Sequence, residues 1–345
     1  MKPRQLFAFA LLLLVFFPSF SHPCFALLKE NRSLLGTIVE ITIISPDESK
    51  AKSGMDKAFD EIRRIEDLMS FYQPKSEISR INQTPAHQRV KVGREVFGLL
   101  RHAQAISHLT QGSFDITFSP LWHLWGQCAR EKRLPSSEEL MRAKALVDYR
   151  KIRLYERNHE VECMGTGMKV NLGGIAKGYA LSRAGDMLQN TGLHNFLINI
   201  GGDVLAAGEG REGKGWRIGI QHPRKGHEFI GVLVLNDCFA LTSGDYERYF
   251  EIKGGRYHHI IDARSGYPAS GCSAVTILTP RLTGDYLPSV ALFLLGPEEG
   301  LRVLEAHPEV AGLIITPEGR VFTTPNLSPY LERPLPLQIE MAEAD

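Results

Sequence analysis

Three stretches of this 345-residue chain combine residue types that can do chemistry. In the first, Asn171-Leu172-Gly173-Gly174-Ile175-Ala176-Lys177-Gly178-Tyr179-Ala180, a strand ends in a glycine pair and a helix is predicted to begin at once. A junction of that kind leaves backbone N–H groups unpaired at the positive end of a helix, which suits phosphate. Lys177 falls in the first helical turn, where the helix dipole disfavours a cation, so it calls for an anionic partner. The run matches neither the G-x-G-x-x-G dinucleotide fingerprint nor a phosphate loop ending in Lys-Ser/Thr, and alone it also reads as a plain tight turn.

The second stretch, Asp285-Tyr286-Leu287-Pro288-Ser289, is predicted to open a helix running to Leu295. Residues four apart share a helical face, so Asp285 and Ser289 point together. One carboxylate and one hydroxyl form a hard oxygen set suited to Mg²⁺, while the plainer alternative is that Asp285 caps the helix. The third stretch, Tyr257-His258-His259-Ile260-Ile261-Asp262, reads as strand, so the adjacent histidines face opposite ways and only one can enter a given site. Histidine is the usual proton acceptor near neutral pH. Asp245, in Leu241-Thr242-Ser243-Gly244-Asp245-Tyr246-Glu247-Arg248, is the acidic alternative, and a core role is the alternative for either histidine.

Positioning these groups falls to a mixture of strand runs and segregated helices, which indicates an α+β fold of two lobes sharing one core rather than an alternating α/β sheet. Gly36 to Ser45 reads as a strand, and Met55, Phe59, Ile62, Ile65 and Met69 form the apolar stripe of a following helix. Further helices are predicted over 94–109, from Ser136 with a Ser136/Glu139 capping box, over 175–188 and over 298–306. Strands are predicted over 151–155, 168–172, 196–200, 216–220, 232–235, 249–252, 259–262 and 274–278. The helix over 298–306 is expected to close the ordered part, and residues 326–345, rich in proline, to form an irregular tail.

Lys2 and Arg4 precede an apolar run from Leu6 to Phe17, and Cys24-Phe25-Ala26 offers small residues for cleavage, so residues 1–26 read as a secretory signal peptide. Export to the periplasmic or cell-envelope side of the inner membrane follows, with a lipid anchor at Cys24 as the weaker alternative. The run is shorter than the ~20 residues that a bilayer core requires. Cys128, Cys163, Cys238 and Cys272 remain, an even count that permits disulfides but reads first as buried thiols with at most one bridge. A formal net charge of +1 argues against bulk electrostatic capture of nucleic acid.

The ordered series GSFDIT (112–117), NLGGIAKGYA (171–180), INIGGDV (198–204), LTSGDYERYF (241–250), YHHIIDARSGYP (257–268) and GDYLPSVALFLLG (284–296) closely resembles the ApbE family of FAD:protein FMN transferases, and IEDLMSFYQPKSEISRIN (65–82) extends the match. The resemblance implies an ApbE-like domain over 27–325 that takes FAD as substrate and Mg²⁺ as cofactor. It further implies transfer of the FMN half to a Ser or Thr hydroxyl of a partner flavoprotein, with release of AMP. Carried over position by position, it places Leu35, Tyr72, Ser113, Phe114, Asp115, Asn171, Lys177 and His259 at the FAD. It places Asp285, Ser289 and a main-chain oxygen of Gly174 or Ala176 at the metal, and it favours His259 as the inward base. The chain departs from the family pattern at Asn171, where Asp is usual, and at Ser289, where Thr is common. Pro288 and Ala263 are further departures. An FAD pyrophosphatase and a non-catalytic FAD-binding protein are the alternative functions.

Overall fold

The computed structural model describes residues 26–280 and 286–341. The expected leader up to Phe25, with Cys24, and the expected metal ligand Asp285 lie outside the described residues.

Strands β1 (Ala26–Leu34) and β2 (Thr37–Ser45) form a hairpin. Its two-residue turn, Leu35-Gly36, has φ of 55° and 68°, the left-handed backbone that the twist of a tight hairpin requires. Helix α1 (Glu48–Met69) starts where Asp47 accepts the Lys50 N–H, and it buries Met55, Phe59, Ile62, Ile65 and Met69. Then follow α2 (Glu77–Gln83), β3 (Arg89–Lys91), α3 (Arg94–Leu109), α4 (Ser119–Glu131), α5 (Ser137–Lys144), β4 (Ile152–Tyr155) and β5 (Glu160–Cys163). The capping box at Ser136 and Glu139 is formed. After α6 (Ala176–Asn190) come β6 (Phe196–Ile200), β7 (Asp203–Ala207), β8 (Trp216–Gln221), β9 (Phe229–Leu235), β10 (Cys238–Gly244), β11 (Tyr249–Ile252), β12 (Gly255–His258) and β13 (Ala274–Thr279). The chain continues with α7 (Ser289–Leu295), α8 (Pro297–Glu305), β14 (Ala311–Ile315) and β15 (Val321–Thr323).

Eight of these strands form one antiparallel sheet in the order β1-β2-β6-β7-β10-β13-β14-β15. Side chains alternate between its faces with the period of two that a strand imposes. Leu205, Phe239, Leu241, Val275 and Ile277 join the core under the helices, with Phe59, Leu100, Leu181 and Phe293. Ala206, Cys238, Ala240, Ala274 and Leu278 join a second core on the opposite face, with Leu233, Leu327 and Ile339. Because both faces are covered, β7, β13 and β14 are buried along their whole length. The arrangement is α+β as expected, but the single shared core is corrected: the sheet carries a core on each face, and a smaller cluster of Leu121, Trp125, Ala143 and Ile261 stands apart.

Several expectations needed correction. Helix α4 was not anticipated; it carries a proline in its first turn and buries Leu121, Trp125 and Cys128. Residues 168–172 lie outside any ladder, and the Asn82 side-chain amide takes the place of a neighbouring strand. Its Oδ1 accepts from the Val170 N–H at 2.6 Å and its Nδ2 donates to the Val170 carbonyl at 2.8 Å. Strand β12 ends at His258, and of residues 259–262 only Ile261 makes a bridge, to Pro268. The ordered part does not close at residue 306: β14 and β15 complete the sheet. The proline-rich tail then turns through a 3₁₀ helix (Pro325–Tyr330) and straps back, with Glu332 N–H donating to the Val232 carbonyl and Ile339 N–H to the Gly319 carbonyl. All four described cysteines are free thiols.

Candidate active site

A cleft of about 500 Å³ opens at the helix side of the sheet, and segments distant in sequence meet in its walls. The glycine-rich turn forms one wall. Asn171 starts it by accepting the Gly173 N–H on Oδ1 at 2.8 Å, an Asx turn that an aspartate would make equally well. Other side chains lie close against the backbone at two of its glycines. A Cβ on Gly174 would sit 3.0 Å from Phe114 and 3.8 Å from Val290, and one on Gly178 would sit 2.6 Å from the Tyr286 hydroxyl. That hydroxyl donates to the Ile175 carbonyl at 2.8 Å, so the segment leading into α7 is pinned to the start of α6.

Lys177 lines the cleft and has a protein partner, the Asp203 carboxylate 3.6 Å away. Asp203 also accepts the Thr242 N–H at 3.1 Å. Burial pushes the Asp203 carboxyl above the usual carboxylate range, and Lys177 opposes that shift. The anion required by a lysine in the first helical turn is therefore supplied in part by the protein itself. Asp203 escaped the sequence reading although its signal, Gly201-Gly202-Asp203 after an apolar strand, was visible.

Phe114 and Asp115 form the facing wall. The Asp115 carboxylate accepts from the Thr117 N–H, the Thr117 hydroxyl and the Tyr149 N–H at 2.7, 2.6 and 2.8 Å. Its pKa is nevertheless raised by burial. Ser113 is fully buried behind this wall, where its hydroxyl donates to the Thr110 carbonyl and its own carbonyl accepts the Ala263 N–H; it orders the turn and is absent from the lining of the cleft. At the rim stand Leu35, whose N–H donates to Glu66 Oε1 at 2.9 Å, and Tyr72, which is 72% exposed and edge-on to Phe71.

Ser289 is the first residue of α7, and Pro288 occupies the cap position in an extended conformation. The predicted helix start at Asp285 is therefore corrected: a residue before proline is disfavoured in the helical region, and α7 begins only after Pro288. The Ser289 hydroxyl lies 2.9 Å from that of Ser243, which also lines the cleft, and Gly174 and Ala176 share the lining. Among the described residues no three His, Cys, Asp or Glu side chains converge as a metal cage. The oxygen chemistry of Ser289 and the exposed glycine-rich turn fits a hard cation that takes few protein ligands.

His259 lines the cleft, and His258, the last residue of β12, lines a second cavity instead. His258 Nδ1 accepts the Ile260 N–H, and its Nε2 donates to the Ala269 carbonyl at 2.7 Å. His259 Nδ1 lies 3.3 Å from the Arg248 carbonyl, which leaves Nε2 as the proton-accepting atom when Nδ1–H donates there. Burial, reinforced by the neighbouring His258, pushes His259 down to about 4, so it is neutral at pH 7.

Asp245, the alternative base, is placed elsewhere. Its carboxylate accepts two hydrogen bonds from the Arg224 guanidinium, both at 2.7 Å, and it lines a second cavity of about 570 Å³ with Glu251, Arg256 and His258. Gly244 lines the cleft while Asp245 lines the other cavity, so one step along the chain separates the two.

A family model described as the ApbE family matches residues 35–314. An FAD:protein FMN transferase of Klebsiella pneumoniae is 34% identical over 82% of this chain and 87% of its own length, and one of Vibrio cholerae is 30% identical over 87% and 91%. The crystal structure of the ApbE protein from Thermotoga maritima superposes with a TM-score of 0.80 at 32% identity, covering 89% of this chain and all of that one. The flavin transferase ApbE of Vibrio cholerae superposes with a TM-score of 0.79 at 28% identity, again over 89% and 100%. Agreement in sequence and in fold over nearly the full length of these proteins establishes that this chain belongs to the ApbE family.

Proposed function

We infer that this chain transfers the FMN half of FAD to a Ser or Thr hydroxyl of a partner flavoprotein and releases AMP. The observation that carries this reading is the convergence, in one cleft, of the glycine-rich turn, Lys177, Ser289 and His259 on a fold shared with FAD:protein FMN transferases. The acceptor hydroxyl oxygen forms a bond to the flavin-side phosphorus, the bond from that phosphorus to the bridging oxygen breaks, and AMP leaves with that oxygen. Lys177, at the helix end, offers a cation to the diphosphate. His259 Nε2 is the proposed acceptor of the proton that the hydroxyl loses. Phe114 and the rim residues Leu35 and Tyr72 offer apolar surface to the flavin and adenine rings. Asp115 and Asn171 hold the two walls in shape rather than contact the reacting atoms.

Mg²⁺ is the proposed cofactor, held by Ser289, a main-chain oxygen at Gly174 or Ala176, and Asp285. When bound it supplies Lewis-acid neutralisation of phosphoryl oxygens. Export is proposed from the basic Lys2 and Arg4 and the apolar run that follows, which places the acceptor on the periplasmic or cell-envelope side.

The test is incubation of the chain from residue 27 onward with FAD, Mg²⁺ and an FMN-acceptor domain, followed by assay of AMP, free FMN and protein-bound flavin. AMP equal to protein-bound flavin is the expected result. AMP equal to free FMN would make the protein a pyrophosphatase, and retained FAD without AMP would make it a binding protein.

A further inference from the structure

The tip of the β1–β2 hairpin forms part of the cleft rim, and it is held in an unusual way. Its first residue, Leu35, donates its N–H to Glu66 of α1 at 2.9 Å. Its second, Gly36, accepts at its carbonyl a hydrogen bond of 2.9 Å from Arg248 Nη2, 212 residues away in sequence. Gly36 has nothing within 4 Å of the position a Cβ would take, so no side chain fills the space on that side of the tip. The main chain of Arg248 faces the opposite wall: its carbonyl accepts from the His259 N–H at 3.0 Å and lies 3.3 Å from His259 Nδ1. One residue therefore touches both the rim and the histidine.

We propose that Arg248 is a positioning residue that clasps the cleft, its guanidinium fixing the Leu35-Gly36 tip while its carbonyl fixes the His259 ring. The proposal rests on the transferase reading of this cleft. The two halves of the clasp separate cleanly, because substitution removes the guanidinium and leaves the carbonyl. Losing the guanidinium frees the rim, which binds FAD, and leaves His259 anchored.

Arg248→Ala should weaken FAD binding, measured by flavin-fluorescence titration, by about tenfold, the size of effect expected from losing one charge-assisted hydrogen bond at a partly exposed site. AMP release at saturating FAD should change less than threefold. Arg248→Lys, which keeps one donor, should recover part of the affinity. Glu66→Ala frees the same tip from its other end, so the double variant Glu66→Ala/Arg248→Ala should bind FAD about as weakly as the weaker single variant. Losses that multiply would replace the clasp with direct contact between Arg248 and the substrate. A lowered Tm with full FAD affinity would make Arg248 a stability residue only, and unchanged affinity in Arg248→Ala would also overturn the clasp. If the unsubstituted chain binds no FAD, the transferase reading fails and the clasp falls with it, a result distinct from FAD binding that ignores Arg248.

Discussion

Two cavities of similar size, about 500 and 570 Å³, lie on either side of the segments that carry Gly244 and Asp245 and the paired histidines. Each contains one histidine of the pair and one buried aspartate facing a cation. In the cleft the pair is loose: Lys177 stands 3.6 Å from Asp203, its side chain 35% exposed. In the second cavity Arg224 grips Asp245 through two bonds of 2.7 Å, and both side chains are nearly closed off from solvent. Among the described residues His259 is engaged at Nδ1 alone, whereas both nitrogens of His258 have partners. The difference shows why similar residue sets serve different ends. A guanidinium fork satisfied by a carboxylate holds a fold together, while a single ammonium at longer range keeps donors for a substrate.

The sharpest test of that contrast begins with the metal. Asp285→Asn should lower transfer by roughly 10³-fold or more, since a Lewis acid supplies several kcal/mol to phosphoryl transfer. Asp245→Asn should leave FAD binding intact and act on stability alone. Single-turnover AMP release beside thermal melts separates the two, and excess EDTA should reproduce the Asp285→Asn loss. Full activity in EDTA would remove the metal from the cleft.

The histidines come next. His259→Ala should slow FMN transfer by about 10²-fold while FAD still binds. His258→Ala should leave the transfer rate per folded molecule within a few-fold of normal and lower stability by about 1–3 kcal/mol, because it strands the Ile260 N–H and the Ala269 carbonyl. Equal losses of rate in both variants would erase the distinction between the two faces.

Exchanging charge for bulk compares the ion pairs directly. Lys177→Met should weaken FAD binding about tenfold or more with a small change in Tm. Arg224→Met should destabilise the fold by about 3 kcal/mol, since it abandons a buried carboxylate. Reversal of this pattern, with Lys177→Met unfolding the chain and Arg224→Met blocking FAD, would invert the assignment of the two cavities.

The smallest effect is a pH dependence shared by both. His258 and His259 have pKa values lowered by burial, the latter to about 4, against an ordinary value of 6.5. Between about pH 6.5 and 4 the unfolded chain then binds more protons than the folded one, so stability falls as pH falls through that window. Solvent screening of the half-buried His259 limits its share to about 1 kcal/mol. Urea midpoints at pH 7.5, 6.0 and 5.0 should show this slope, and it should flatten in either His→Ala variant. Since His259 is already neutral at pH 7, the acid limb of FAD turnover should lie below pH 6.5.

Much of the molecule is legible without coordinates. The stripe Met55-Phe59-Ile62-Ile65-Met69, the capping box at Ser136 and Glu139, and the helix after the glycine pair all form where expected, because each depends on residues within a turn or two of one another. Histidine alternation survives even though β12 stops at His258, since it too is set by adjacent residues. The family blocks identify the chemistry by their order along the chain. What the sequence does not determine is which partner each polar group meets across the fold. Asn82 replaces a strand beside Val170, Asp203 answers Lys177, Arg224 withdraws Asp245 from the cleft, and the tail returns over β9. These outcomes depend on contacts brought together by the stacking of helices and a two-faced sheet. Propensity and periodicity act over a few residues, whereas pairing a buried charge or a lone N–H is decided only when distant segments close on each other and exclude water.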